Sequence, residues 1–139
     1  MAKAYAGDLS PAEAWALLDQ DGEATLIDVR TEPEWRFVGV PDLRDVGRQP
    51  HLISWQVYPG MEINSGFQAA VAGAAPDKSK PVLFLCRSGA RSRSAAMAAT
   101  AAGYTEAYNV AEGFEGDLNE EGRRVVNGWK VRELPWRQG

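Results

Sequence analysis

The stretch LFLCRSGARSRSAAMAA carries the chain's one cysteine, Cys86, between an apolar run and a loop rich in cations. Arg87, Arg91 and Arg93 all follow it within seven positions. A thiol that only fills space needs no positive charge around it, whereas a reacting thiol does. A free cysteine, with a pKa of about 8.5, is only a few per cent thiolate at neutral pH, and the thiolate is the nucleophile. Three local features favour ionisation. Cys86 directly precedes a loop leading into a helix, so backbone N–H groups and the helix amino end can face the sulfur. Gly89 lets that loop curl with no Cβ in the way. Arg87 and Arg91 bring charge that does not titrate away. Arg87, Ser88, Gly89, Ala90, Arg91 and Ser92 together describe an anion cradle with a thiolate at its base.

Other chemistries find less support. A cysteine–histidine hydrolase would depend on His51, the only histidine, which lies in an irregular segment and reads as a surface or loop residue. One cysteine and one histidine offer no metal cluster, so neither metal nor cofactor is expected. Arg93 points a different way around the helix from Arg91 and reads as a structural or surface residue.

The elements that must position Cys86 are visible in the apolar pattern. LSPAEAWALLDQ reads as a helix, with Ser10 as cap, Pro11 in the first turn and Glu13 at the capping-box position. ATLIDVR follows as a short strand, and TEPEWRFVG offers a second capped start with Thr31, Pro33 and Glu34. Residues 39–60 are broken by three prolines and three glycines, although LISWQVY has strand character. NSGFQAAVAGAAPDKSK reads as a helix capped by Asn64 or Ser65 and stopped by Pro76. PVLFLC is a short continuous apolar run, as in a strand buried on both faces. An alanine-rich helix, RSAAMAATAAG, ends at Gly103, AYNVAEGF reads as strand and turn, and NGWKVRELPWRQG as a closing helix or turn with a frayed end. Strands alternating with helices predict an α/β domain with a central, mainly parallel sheet and helices on both faces. Ligands of such sheets bind beyond the strand carboxyl ends, where both DVR and LCRSGARS fall.

Composition narrows the partners. The 139 residues suit a single domain, residues 1–139. A net charge of −4 supplies no excess of cations for nucleic acid. A lone cysteine forms no internal disulfide. The amino end lacks the apolar core of a signal peptide, and no apolar run approaches the ~20 residues that span a bilayer. A cytoplasmic protein with neither nucleic-acid nor membrane partner is expected.

CRSGARS, the alanine-rich helix, GYTEAYNVAEG and NGWK together resemble the rhodanese-like sulfurtransferase domain. LIDVRTEPEW resembles the same family's first signature, including Asp28, Arg30 and Glu34. VGVPDL stands where the family commonly has a Gly-His-Ile-Pro-Gly-Ala type segment, with only Pro41 matching cleanly. The resemblance covers about residues 8–135 and implies the rhodanese-like fold. Two stretches depart from it: the segment 41–63 is longer and more aromatic than in a minimal domain, and an insertion stands near 114–126.

The resemblance implies a sulfurtransferase in which Cys86 accepts a sulfane sulfur from a donor such as thiosulfate. Cyanide or a biological thiol then collects it in a covalent, ping-pong reaction. Asp28, Arg30 and Glu34 are expected to support the loop through ion pairs, and Arg91 to fix it by pairing with an acidic side chain. Trp55, in the long segment, is a candidate wall of the pocket. A rival reading makes the domain a persulfide carrier or sensor that delivers sulfur to a protein partner with little thiosulfate turnover. A thiol-based phosphatase or arsenate reductase is disfavoured by spacing. Cysteine phosphatases resemble one another in a C-x5-R loop, whereas Cys86 to Arg91 is C-x4-R and Ser92 occupies the next position.

Overall fold

The computed structural model describes residues 4–138. In chain order its elements are β1 (Gly7–Leu9), α1 (Pro11–Gln20), β2 (Thr25–Asp28), α2 (Glu32–Phe37), β3 (Val40–Pro41), a 3-10 turn (Arg44–Val46) and β4 (His51–Leu52). There follow β5 (Gln56–Val57), β6 (Glu62–Ile63), α3 (Phe67–Ala74), β7 (Val82–Leu85), α4 (Ala90–Ala101), β8 (Ala107–Val110) and β9 (Trp136–Arg137). Five strands form one sheet in the order β1-β8-β7-β2-β4, and each neighbouring pair is parallel. This is the expected α/β architecture, with helices on both faces of a parallel sheet.

The apolar run Val82–Leu85 becomes the central strand because all four of its side chains are buried. Val82 and Phe84 face α3 and α4, packing with Phe67, Val71, Ala95, Ala96 and Ala99. Leu83 and Leu85 face the other way, against Ala14 and Leu18 of α1 and against Leu43, Phe114 and Trp129. Full burial of such a side chain stabilises by roughly 1.5–3 kcal/mol, so a strand buried on both faces anchors the fold. Alternation carries Cys86 onto the α4 face at the strand's carboxyl end. The alanines of α4 let that helix approach the sheet closely, which draws its amino end up to the sulfur.

Several boundaries differ from the sequence reading. The Ser10 capping box forms as expected, with Glu13 N–H donating to Ser10 Oγ at 3.1 Å and Ser10 N–H to Glu13 Oε1 at 2.8 Å. Neither Asn64 nor Ser65 caps α3; the cap is Gly66, and Asn64 Oδ1 instead accepts the Gly66 N–H at 3.0 Å and turns the chain into the helix. α4 starts at Ala90, before the alanine-rich run, because Gly89 makes the turn at φ +111° and the helix follows at once. The carboxyl-terminal stretch is a turn followed by β9, which pairs antiparallel with β3 rather than fraying. Trp129 Nε1 donates to Pro135 O at 2.7 Å, and the Trp136 ring lies 3.8 Å from Lys130 Nζ, which together hold β9 in place. The segment 41–63 contains β4 and the β5–β6 hairpin. The insertion near 114–126 holds neither helix nor strand. No helix among the described residues is long and apolar enough to cross a membrane.

Candidate active site

The Cys86 loop is shaped by what its carbonyls do. Phe114 N–H donates to Cys86 O at 2.8 Å, and the N–H groups of Glu115 and Gly116 both donate to Arg87 O at 3.0 Å. With those carbonyls turned toward 113–116, Gly89 N–H donates to Cys86 Sγ at 3.1 Å. Ser92 Oγ lies 3.2 Å from the same sulfur. Two glycines permit the close approach. A Cβ on Gly89 would stand 2.3 Å from Ala111 O, and one on Gly113 (φ +71°) 2.5 Å from the Arg87 carbonyl. Cys86 is 1% exposed, so its sulfur sits at the bottom of the cradle. A sulfur here is met by a backbone donor and the amino end of α4, both of which favour negative charge.

The two loop arginines differ. Arg87 is exposed. Arg91 is partly buried and gives both terminal nitrogens to Glu34, Nη1 to Oε1 at 2.7 Å and Nη2 to Oε2 at 2.9 Å. Glu34 also accepts the Thr31 hydroxyl at 2.9 Å and the Thr31 N–H at 3.2 Å. Burial alone would push the Glu34 carboxyl up, but the bonds and charge of Arg91, with those of Thr31, outweigh it and lower the pKa to about 2. The Glu34 bonds, against burial, hold the Arg91 guanidinium still more firmly protonated. Arg91 therefore braces the start of α4.

Asp28 and Arg30 form a buried ion pair next to Phe114. Both are wholly buried. Arg30 Nε donates to Asp28 Oδ1 at 2.9 Å, and Nη2 donates to Asp28 Oδ2 and to Gly39 O at 2.7 Å each. The guanidinium carbon lies 4.3 Å from the centre of the Phe114 ring, and Phe114 is the residue whose N–H holds Cys86 O. Removing either member alone would cost roughly 3–5 kcal/mol by leaving the other buried and unpaired.

Cys86, Gly89, Ser92, Arg91 and Glu34 thus converge, while Ser88 is half-buried and Ala90 exposed. Trp55 is half-buried and packs edge-on against Phe67, ring centres 5.0 Å apart. His51 is exposed on β4 and lines a cleft with Thr25 and Lys80, residues before or at the amino ends of β2 and β7. Arg93 is exposed. Sequence reasoning missed Asn109 and Phe114. Asn109 is a fully buried amide whose Oδ1 lies 2.5 Å from Ser92 Oγ. Its signal was present, since an asparagine at an inward position of AYNV needs a buried partner.

The rhodanese-like domain family matches residues 10–120, and the chain belongs to that family. It is 36% identical to protein RC0915 of Rickettsia conorii over 130 residues, covering 93% of this chain and 95% of that one. Among solved structures it resembles Rv0390 of M. tuberculosis, with 50% identity and a TM-score of 0.90 over 97% of this chain and 99% of that one. It also resembles the polysulfide-sulfur transferase homodimer of Wolinella succinogenes, with 25% identity and a TM-score of 0.64 over 98% of this chain and 82% of that one.

Proposed function

We propose that this protein is a sulfurtransferase with Cys86 as nucleophile and persulfide carrier. The Cys86 thiolate attacks the outer sulfur of thiosulfate, the sulfur–sulfur bond of the donor breaks, and sulfite leaves with the bonding pair. The resulting persulfide, an anion on its outer sulfur, lies in the Gly89–Ser92 cradle. Cyanide or a biological thiolate then attacks that sulfur and Cys86 leaves as thiolate, closing a two-step covalent cycle. The observation that carries the reading is the Gly89 N–H donated to Cys86 Sγ at 3.1 Å inside a C-x4-R loop. The shorter loop makes a ring suited to one sulfur atom. Family membership supports sulfur transfer as the reaction class.

A second donor class has its own support. The Wolinella neighbour is named for polysulfide, whose terminal sulfane sulfur reacts with a thiolate in the same way. A persulfide carrier serving a protein acceptor would use the same loop. The deciding experiment is mass spectrometry after exposure to thiosulfate or to polysulfide, beside Cys86→Ser. One added sulfur atom in the native protein and none in the variant is the expected result. Sulfur loaded only from polysulfide would exclude thiosulfate as donor, and no loading from either would overturn the proposal.

A further inference from the structure

On the α4 face of the sheet a line of polar side chains runs from the surface to Cys86. Asp8 and Asn109 are register partners on β1 and β8, and Asn109 Nδ2 donates to Asp8 Oδ1 at 2.9 Å. The Tyr5 hydroxyl donates to the same oxygen at 2.9 Å. Asn109 Oδ1 lies 2.5 Å from Ser92 Oγ, which lies 3.2 Å from Cys86 Sγ. Asp8 is exposed, whereas Asn109 and Ser92 are wholly buried.

Counting hydrogens sets the direction of every bond. An ionised carboxylate only accepts, so the Asn109 NH2 must face Asp8 and its carbonyl oxygen must face Ser92. That oxygen also only accepts, so the single hydroxyl hydrogen of Ser92 goes to it. Ser92 then offers Cys86 only lone pairs, and the hydrogen in their contact comes from the thiol. The network is complete with S–H. A thiolate would meet the serine lone pair to lone pair, or would draw its hydrogen away and leave Asn109 Oδ1 buried without a donor. Opposing this are the Gly89 N–H, the amino end of α4, and Arg91 in its pair with Glu34. Exposed Arg87 adds positive charge from the loop, and Arg93 on α4 is also exposed.

We infer that Asn109, oriented by Asp8, is a positioning residue that makes Ser92 a hydrogen-bond acceptor and keeps Cys86 protonated at rest. The thiol is thereby restrained until a donor enters the cradle. The inference rests on Cys86 being the reacting thiol proposed above, but its test does not need turnover.

The test is the rate of iodoacetamide alkylation against pH, read by mass on this single-cysteine protein. Asn109→Leu removes the acceptor, and Asp8→Asn frees the amide to turn. Each should move the midpoint of the profile down by roughly one pH unit, or ~10-fold faster alkylation below the midpoint. Tyr5→Phe, which keeps Asp8 and its bond to Asn109, should leave the midpoint in place. In a Ser92→Ala background the Asn109 and Asp8 shifts should both vanish, because they act through the hydroxyl. If Asn109→Leu does not fold, the surface change Asp8→Asn with and without Ser92→Ala decides alone. An unmoved midpoint, or a shift that survives Ser92→Ala, overturns the inference. Failure to load sulfur would instead refute the proposed reaction and leave the alkylation result intact.

Discussion

Glu34 and Arg91, 57 positions apart, meet through two hydrogen bonds of 2.7 and 2.9 Å. The same carboxylate accepts both the N–H and the hydroxyl of Thr31 at the start of α2. One side chain therefore caps one helix and braces the first turn of another, the one whose amino end faces Cys86.

Glu34→Gln should weaken the clasp and lower stability at pH 7 by about 1–2 kcal/mol, allowing for partial screening by solvent. The folded carboxyl titrates near 2, below its ordinary value of 4.5. Its stabilisation is complete above pH 4.5 and is lost as pH falls through 2. Urea unfolding at several pH values should show the stabilities of the native protein and the variant converging over that window; a gap independent of pH would contradict it.

Gly89→Ala should destroy the cradle while sparing most of the fold. Its φ of +111° and the Ala111 oxygen 2.3 Å from the new Cβ leave no strain-free solution. A cost of roughly 1–3 kcal/mol is expected, together with loss of sulfur loading measured by mass. Retained loading would show that the loop tolerates a side chain at position 89.

Arg87→Ala should raise the KM for thiosulfate with a smaller change in kcat, since Arg87 is an exposed cation beside Cys86 in the chain and attracts a dianion. The effect should shrink with added salt, because exposed charge is screened over roughly 8–10 Å at moderate ionic strength. Arg91→Ala should instead lower kcat, because it unbraces α4. Steady-state kinetics at two ionic strengths separates the two arginines.

Aryl phosphates should be turned over negligibly beside sulfur transfer, and inorganic phosphate should inhibit weakly. The C-x4-R loop lacks the residue that would widen it for a tetrahedral anion. Phosphatase activity comparable to sulfur transfer would reverse this reading of the spacing.

Trp55→Ala should cost about 1–3 kcal/mol through its lost edge-on contact with Phe67. As a pocket wall, Trp55 should also matter more to a bulky thiol acceptor than to cyanide, so the KM for the former should rise further. Equal changes for both acceptors would leave Trp55 a packing residue.

Much of this protein was written in local relations along the chain. The apolar run Val82–Leu85, the cysteine at its carboxyl end and the glycine three residues on were legible because strand alternation and turn chemistry operate within a few positions. So were the Ser10–Glu13 and Thr31–Glu34 pairs, each three residues apart. Alternating strands and helices sufficed for a parallel sheet. The partner of Arg91 was not legible as a unique choice, since several carboxylates were available and only the tertiary fold, which brings Glu34 within reach of the start of α4, selects it. The same holds for Asn109, whose contact with Asp8 spans 101 positions and exists because β1 and β8 pair in one register. β9 likewise becomes a strand only because β3 offers it an edge. Local pattern determined where the thiol stands; long-range register decided which side chains surround it.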